Sequence, residues 1–241
     1  MQRKYVLPVV CIALLSACNN SSDSTITTFK NIDVKYPVTK KDTTVKDDYF
    51  GTAVADPYRW LENDTSAETA AWVKAENDVT QGYFSQIPFR DAIRKRYEKI
   101  FNYEKYSAPF RQGKHTYYYK NSGLQNQSVL YREADGVSAP DTFLDPNTFS
   151  KDGTTSLAGI AFSKDGSMAA YNISEGGSDW QKLVLMNATD KKQLADTLEI
   201  KFSGASWKGN DGFYYCNYER PKQGSVLSGK NESHKLYYHK L

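Results

Sequence analysis

The spacing of hydrophobic residues changes near residue 105, from the spacing of helices to the alternation of strands. Before that point, the polar stretch over residues 36–56 predicts an extended loop. Thr65 and Glu68 then have the spacing of a capping box, which predicts the start of a helix. Pro88 can open a second helix. Apolar residues recur on one face of each predicted helix: Trp72, Val79 and Tyr83 in the first, and Ile93, Tyr97 and Ile100 in the second.

After Lys105 the hydrophobic period changes to two, which is typical of strands with one buried face. Asp165-Gly166, between two apolar runs, is a strong hairpin signal. Short strands at even spacing favour a sandwich, a barrel or a propeller. The predicted strands cover residues 115–120, 128–133, 141–144, 157–162, 168–173, 179–186 and 193–198.

A weak internal repeat favours the propeller. The string FSKDG, which begins at Phe162, resembles WKGNDG, which begins 45 residues later at Trp207. A period near 45 residues with about four strands per unit is typical of propeller blades. Two copies leave one alternative open, namely two unrelated Asp-Gly hairpins in a β-sandwich.

The length limits how many blades this chain can supply. Lys105 to Leu241 is 137 residues, which is about three blades at about 45 residues each. Propellers close with about four to eight blades. The sequence therefore predicts a mainly β fold, a partial β-propeller preceded by an α-helical arm. We expect the chain to be the front part of a longer protein.

The first 18 residues resemble an export signal. A basic start with Arg3 and Lys4 precedes an almost entirely apolar run that ends at Leu15. Ser16-Ala17-Cys18 then resembles a bacterial lipobox, in which cleavage before the cysteine exposes it for acylation. We expect Cys18 to carry a lipid and anchor the protein in the bacterial periplasm or outer membrane. An ordinary signal peptide with a chance cysteine is the alternative.

The net charge and the cysteine count limit the partners and the disulfides that this chain can have. The formal net charge is +3, and it falls to +1 when the predicted signal, residues 1–17, is removed. So small a charge gives no support for a nucleic-acid partner. If Cys18 is acylated, Cys216 is the single thiol of the mature chain, where a buried apolar role is expected and no internal disulfide can form.

No catalytic constellation is visible in the sequence. The chain has no Gly-x-Ser-x-Gly elbow, no phosphate-binding glycine loop, and no His-Glu-x-x-His or Cys-x-x-Cys spacing. The three histidines, His115, His234 and His239, do not have a convincing ligand spacing. We therefore assign no catalytic residue, no metal and no cofactor to this chain.

Several strings, taken in order, resemble the N-terminal region of the prolyl oligopeptidase family of serine peptidases. The most specific are DPYRWLE, which begins at Asp56, and SGLQNQ, which begins at Ser122. The resemblance covers roughly residues 36–241. The other strings that carry it are DYFG from Asp48, YEKYS from Tyr103, FLDPN from Phe143, AFSKDG from Ala161, GSDW from Gly177 and KLYYH from Lys235.

The resemblance implies a seven-bladed propeller joined to an α/β-hydrolase domain, against which the helical arm packs. The family cleaves short peptides after proline, with the propeller restricting access to the chamber. Its Ser, Asp and His would lie beyond Leu241. By similarity, Phe162 matches an aromatic residue that faces the substrate chamber, although an ordinary place in the blade core is the alternative.

The predicted organisation has four parts. They are a signal peptide over residues 1–17, a tether over 18–35, a helical arm over 36–104 and the start of a propeller over 105–241. The second function that the sequence allows is a non-catalytic propeller-type lipoprotein that binds peptide or glycan. A continuation of the reading frame that encodes the Ser, Asp and His would favour the peptidase over the non-catalytic lipoprotein.

Overall fold

The computed structural model describes residues 31–136, 139–221 and 229–241. Its first regular element is a hairpin of β1 (Lys46–Tyr49) and β2 (Thr52–Ala55). The loop predicted for residues 36–56 is wrong for this segment. Phe50 and Gly51 both have positive φ, and the Asp48 carboxylate accepts a hydrogen bond from the Gly51 amide at 2.6 Å. Every residue of β2 is exposed. The strand therefore has no buried face, and the sequence lacks the hydrophobic alternation that would have predicted the hairpin.

A short 3-10 helix (Arg59–Glu62) and two α-helices follow, α1 (Ala67–Ser85) and α2 (Arg90–Phe101). The cap of α1 is Ser66, whose hydroxyl accepts a hydrogen bond from the Thr69 amide at 3.1 Å. The capping box predicted at Thr65 is therefore wrong by one residue. Among the described residues, neither helix combines the length and apolar character needed to cross a bilayer.

From Lys105 onward the regular structure is mainly strands, which form three antiparallel sheets. The first sheet has the order β3/β4–β5–β6–β7, since β3 and β4 both pair with β5. The second sheet has the order β8–β9–β10–β11. Their bounds are β3 Lys105–Tyr106, β4 Phe110–Gln112, β5 His115–Asn121, β6 Val129–Ala134, β7 Asp141–Leu144, β8 Thr155–Phe162, β9 Met168–Glu175, β10 Trp180–Asn187 and β11 Gln193–Lys201.

The third sheet repeats the first three strands of the second. Its strands are β12 (Ser206–Lys208), β13 (Gly212–Asn217) and β14 (Lys235–Lys240), in that order. Phe162 is the last residue of β8 and Trp207 is the middle residue of β12. These two strands correspond, as the 45-residue repeat predicts. The mainly β fold, with about three blades after a helical arm, is confirmed.

The second sheet is buried on both faces because successive residues of its strands point to opposite sides. One face packs against Tyr117, Leu130 and Phe143 of the first sheet. The other face packs against Phe213 of the third sheet. The residues that the second sheet contributes are Ala169, Tyr171, Val184 and Met186 to the first interface, and Ala170, Leu183, Leu185 and Ile200 to the second. A β-sandwich has two packed sheets, whereas here the second sheet is packed between two others, so the sandwich alternative is wrong.

Polar contacts fix the rotation from one sheet to the next. At the β8–β9 turn, the Lys164 amide donates to the Gly209 carbonyl at 3.0 Å, and the Asp165 amide donates to the Asn210 side chain at 3.2 Å. On the other side, a Cβ at Gly113 would lie 2.2 Å from the Asp165 carbonyl oxygen, and Gly113 has φ +56°. Only glycine fits there, so this close approach sets the position of the first sheet.

Candidate functional site

The candidate site is a group of aromatic and cationic side chains at one end of the second and third sheets. We call it the corner patch, and it consists of Trp180, Lys201, Phe202, Tyr218 and Arg220. Trp180 begins β10 and lies directly opposite Lys201, the last residue of β11. Directly opposed residues share a face of the sheet, so their side chains are neighbours.

Side-chain hydrogen bonds hold the end of β11 in place. The Asn217 amide oxygen accepts hydrogen bonds from the backbone of Lys201 and Tyr218, both at 3.0 Å. The Ser203 hydroxyl accepts another from the Cys216 amide at 2.8 Å. The third sheet therefore determines the course of the chain as it leaves the second.

Phe202 is unusual in backbone and exposure. It has φ +54°, in the left-handed region that a bulky residue rarely adopts. Its side chain is 56% exposed and meets the Tyr218 ring edge-on at 6.3 Å. Strained, exposed residues of this kind often mark functional sites.

Lys201 is the buried charge of the corner patch. It is 4% exposed, and its ammonium lies 5.5 Å from the ring centre of Trp180 and 5.3 Å from that of Phe202. Within the part of the chain that the structure describes, no carboxylate lies within 4 Å of this ammonium. Cation–π attraction of this kind contributes on the order of 0.5–2 kcal/mol, which offsets only part of the cost of burying a charge.

Trp180 contributes a buried hydrogen-bond donor without a partner. Its indole Nε1 is buried and has no acceptor among the described residues. Arg220 approaches the same ring at 5.8 Å and forms an ion pair with Glu199. The corner patch therefore presents hydrogen-bond donors and aromatic faces, a combination suited to the carbonyl, carboxylate and ring groups of a peptide.

A cleft of about 880 Å³ runs from the corner patch to the segment around the short 3-10 helix. Arg59 forms the far wall and is held by Asp47 and by Asp56 at 2.9 Å. The Arg59 guanidinium lowers the pKa of Asp47, and the two carboxylates raise the pKa of Arg59. The cleft is lined by both apolar and charged residues. They are Arg59, Glu62, Asn63, Asp64, Thr65, Ile173, Glu175, Ser178, Trp180, Gln181, Lys182, Glu199 and Arg220.

Phe162, the residue predicted to face a substrate chamber, lies at the end of β8. Its ring is 4.7 Å from that of Tyr117, 5.7 Å from that of Phe143 and 6.4 Å from that of Phe110. These contacts place it beside the core between the first and second sheets. The substrate-facing role implied by resemblance stays a prediction.

The remaining predicted site residues are placed as follows. Cys18 lies outside the described residues, as does the whole predicted signal. Cys216 is partly buried in β13. No group of three His, Cys, Asp or Glu side chains among residues 31–136, 139–221 and 229–241 could hold a metal ion.

Sequence reasoning missed the corner patch because its pattern is inverted. Lys201 is buried while Phe202 is exposed, so hydropathy assigns each side chain to the wrong environment. Trp180 entered the sequence analysis only as part of the GSDW string and of the predicted strand over residues 179–186. One signal was available, since Phe202 continues the apolar–polar alternation past the predicted strand end and directly precedes Ser203-Gly204.

Comparison with known proteins gives the fold a family. The family model described as "Prolyl oligopeptidase, N-terminal beta-propeller domain" matches residues 37–241. A prolyl endopeptidase of Elizabethkingia meningoseptica is 57% identical over 209 residues, which are 86% of this chain and 29% of that protein. One from Dictyostelium discoideum is 30% identical over 258 residues, covering 86% of this chain and 34% of the relative.

A solved structure agrees with the fold. Prolyl oligopeptidase B from Galerina marginata, bound to a 25mer macrocyclization substrate, is 29% identical with a TM-score of 0.66. The match covers 86% of this chain and 32% of that one. This chain thus spans about a third or less of each relative named here. Sequence and stacked sheets agree that the chain belongs to the prolyl oligopeptidase family, in the region of its N-terminal β-propeller domain.

Proposed function

We propose that this chain is the N-terminal part of a serine endopeptidase that hydrolyses short peptides on the carboxyl side of proline. One observation carries the proposal, namely 57% identity over 209 residues to a protein named prolyl endopeptidase. The family model over residues 37–241 supports it independently.

The share of this chain in that reaction would be access and binding. Sheets that stack through buried aromatic and aliphatic side chains form a rigid wall, which can exclude folded proteins and admit short peptides. The corner patch supplies exposed aromatic and cationic groups at one end of that wall. The Galerina marginata relative was solved with a 25mer substrate, which supports peptide as the ligand class.

In this proposal, the bond-breaking step belongs to residues that the 241-residue sequence does not contain. The 241 residues contain no Gly-x-Ser-x-Gly string, so we assign them no nucleophile. In the mechanism that the family implies, a histidine takes the serine proton, the serine oxygen attacks the carbonyl carbon of proline, and oxyanion-hole donors stabilise the intermediate. The histidine then gives this proton to the amide nitrogen, the C–N bond breaks, and the C-terminal fragment leaves as an amine. Water, deprotonated by the same histidine, hydrolyses the acyl-enzyme, which releases the fragment that ends in proline and restores the serine.

The proposal includes an exported location. The basic start, apolar run and Ser16-Ala17-Cys18 ending support cleavage before Cys18 and acylation of its thiol. Residues 18–35 would then tether the folded part to its lipid anchor, in the bacterial periplasm or at the outer membrane. The lipid is the membrane partner in this proposal, and a short proline-containing peptide is the substrate.

The test is an assay of the protein encoded by the complete reading frame. A chromogenic Gly-Pro amide should be hydrolysed, a Gly-Ala amide should not, and a serine-directed phosphonate should abolish turnover. The 241-residue chain alone should show no turnover. A complete reading frame without a Gly-x-Ser-x-Gly, Asp and His series would refute the peptidase and favour the non-catalytic lipoprotein.

A further inference from the structure

We propose that Lys201 and Trp180 form a subsite for a carboxylate group of a bound peptide. The inference rests on the proposed function, because it takes peptide as the ligand class. It adds a preference for an acidic group that neither the sequence motifs nor the relatives' names describe. The starting observation is that a buried indole N–H without an acceptor lies beside the ammonium of a lysine that is only 4% exposed.

The first donor is the Lys201 ammonium. The side chain is 4% exposed, yet within the described residues it has neither a carboxylate within 4 Å nor a hydrogen-bond acceptor for its ammonium. A lysine side chain that is so little exposed is poorly solvated, and the cation–π contacts offset only part of that cost. The site therefore favours an anion.

The second donor is the Trp180 indole. Its Nε1 is buried without an acceptor, and Trp180 pairs directly with Lys201 across the sheet. A group that accepts from both donors needs at least two lone pairs and a negative charge, which a carboxylate supplies. Trp180 also borders the 880 Å³ cleft, which gives a peptide access to this face.

The other cations around the cleft are already occupied. Lys182 pairs with Glu175 at 2.7 Å, and Arg220 pairs with Glu199. Lys182 lies opposite Glu199 on the same two strands and the same face as Lys201. It is therefore a matched control, with the same charge and the same face but with its own carboxylate.

The experiment compares peptides that differ by one carboxylate. The first pair is acetyl-Glu-Gly-Pro-Gly-amide and its Gln counterpart, and the second is acetyl-Gly-Pro-Gly-Glu-amide and its Gln counterpart. Affinities for the 241-residue chain are measured by calorimetry. The Trp180 indole N–H is followed by NMR and assigned with Trp180→Phe. In at least one pair, the Glu peptide should bind about tenfold tighter than its Gln counterpart and shift the Trp180 signal.

Lys201→Met should equalise that pair, while Lys182→Met should preserve the difference. Lys201→Met should also fold, because replacing a buried unpaired charge with an apolar side chain is often neutral or stabilising. Equal affinities within both pairs of the unmodified chain would overturn the carboxylate subsite and leave the peptide proposal intact. No binding by any of the four peptides would overturn both the subsite and the peptide-binding role of this face. Equal weakening by both lysine variants would show a general charge effect and overturn the specific site.

Discussion

Replacing Leu183 with alanine tests the packing between the second and third sheets. Leu183 is fully buried and belongs to the same cluster as Ile200 and Phe213. The change removes three carbons, which corresponds to about 2.4 kcal/mol at about 0.8 kcal/mol per buried methylene. Incomplete collapse of the cavity raises the expected loss to about 3–4 kcal/mol. That is a large part of a typical stability of about 5–15 kcal/mol.

Urea unfolding followed by tryptophan fluorescence and circular dichroism measures the loss. With an unchanged slope, the midpoint should fall by about 1–2 M. Leu194→Ala is the control, because Leu194 lies on β11 and is 38% exposed, so its loss should stay within about 0.5 kcal/mol. The double variant with Phe213→Leu should be non-additive, since the two side chains share one cluster. Equal small losses for Leu183→Ala and Leu194→Ala, with additivity to Phe213→Leu, would refute the stacking.

Three further substitutions give separate tests. Ser66→Ala should destabilise α1 by about 1 kcal/mol in thermal unfolding while Thr65→Ala has a smaller effect, and the opposite order would restore the capping box. Burial opposes ionisation of Asp141, yet the Lys191 ammonium and the Arg132 guanidinium lower its pKa. Its contribution is present above the unfolded pKa of about 3.9 and is lost as pH falls through the lower folded pKa. Asp141→Asn should therefore lower the urea midpoint at neutral pH and leave it unchanged in strong acid; a loss independent of pH would contradict this. Cys18→Ala should abolish incorporation of labelled fatty acid in a bacterial host while Cys216→Ala retains it, and labelling that survives Cys18→Ala would exclude the lipobox.

The sequence predicted the propeller strands well because their signals are local. Asp165-Gly166 specifies a tight turn, and the apolar runs on either side of it form strands whose residues are mostly buried or half-buried. Those two features place β8 and β9 without any knowledge of the neighbouring sheets. β12 and β13 form the same kind of hairpin as β8 and β9, which accounts for the 45-residue repeat.

The two misses have different causes, a competing local hydrogen bond at the start of α1 and a contact distant in sequence at the corner patch. The cap of α1 lies at Ser66 although Thr65 has the better motif, since the Thr65 hydroxyl instead donates to the Asn63 side chain at 3.0 Å. At the corner patch, Asn217 of the third sheet holds the end of β11 in a course that buries Lys201. No window around residue 201 contains that information.

The ladder of touching turns at Gly113, Asp165 and Asn210 has a consequence for how the fold assembles. Apart from β3, which pairs with β5, each strand pairs with one next to it in sequence, and most of these hairpins close on a short loop. The turn contacts then join each sheet to the one before it. Assembly can therefore proceed from the amino end in units of about 45 residues, each using the previous sheet as its template. A chain that emerges in order from a ribosome or a secretion pore meets these templates in the order in which it needs them.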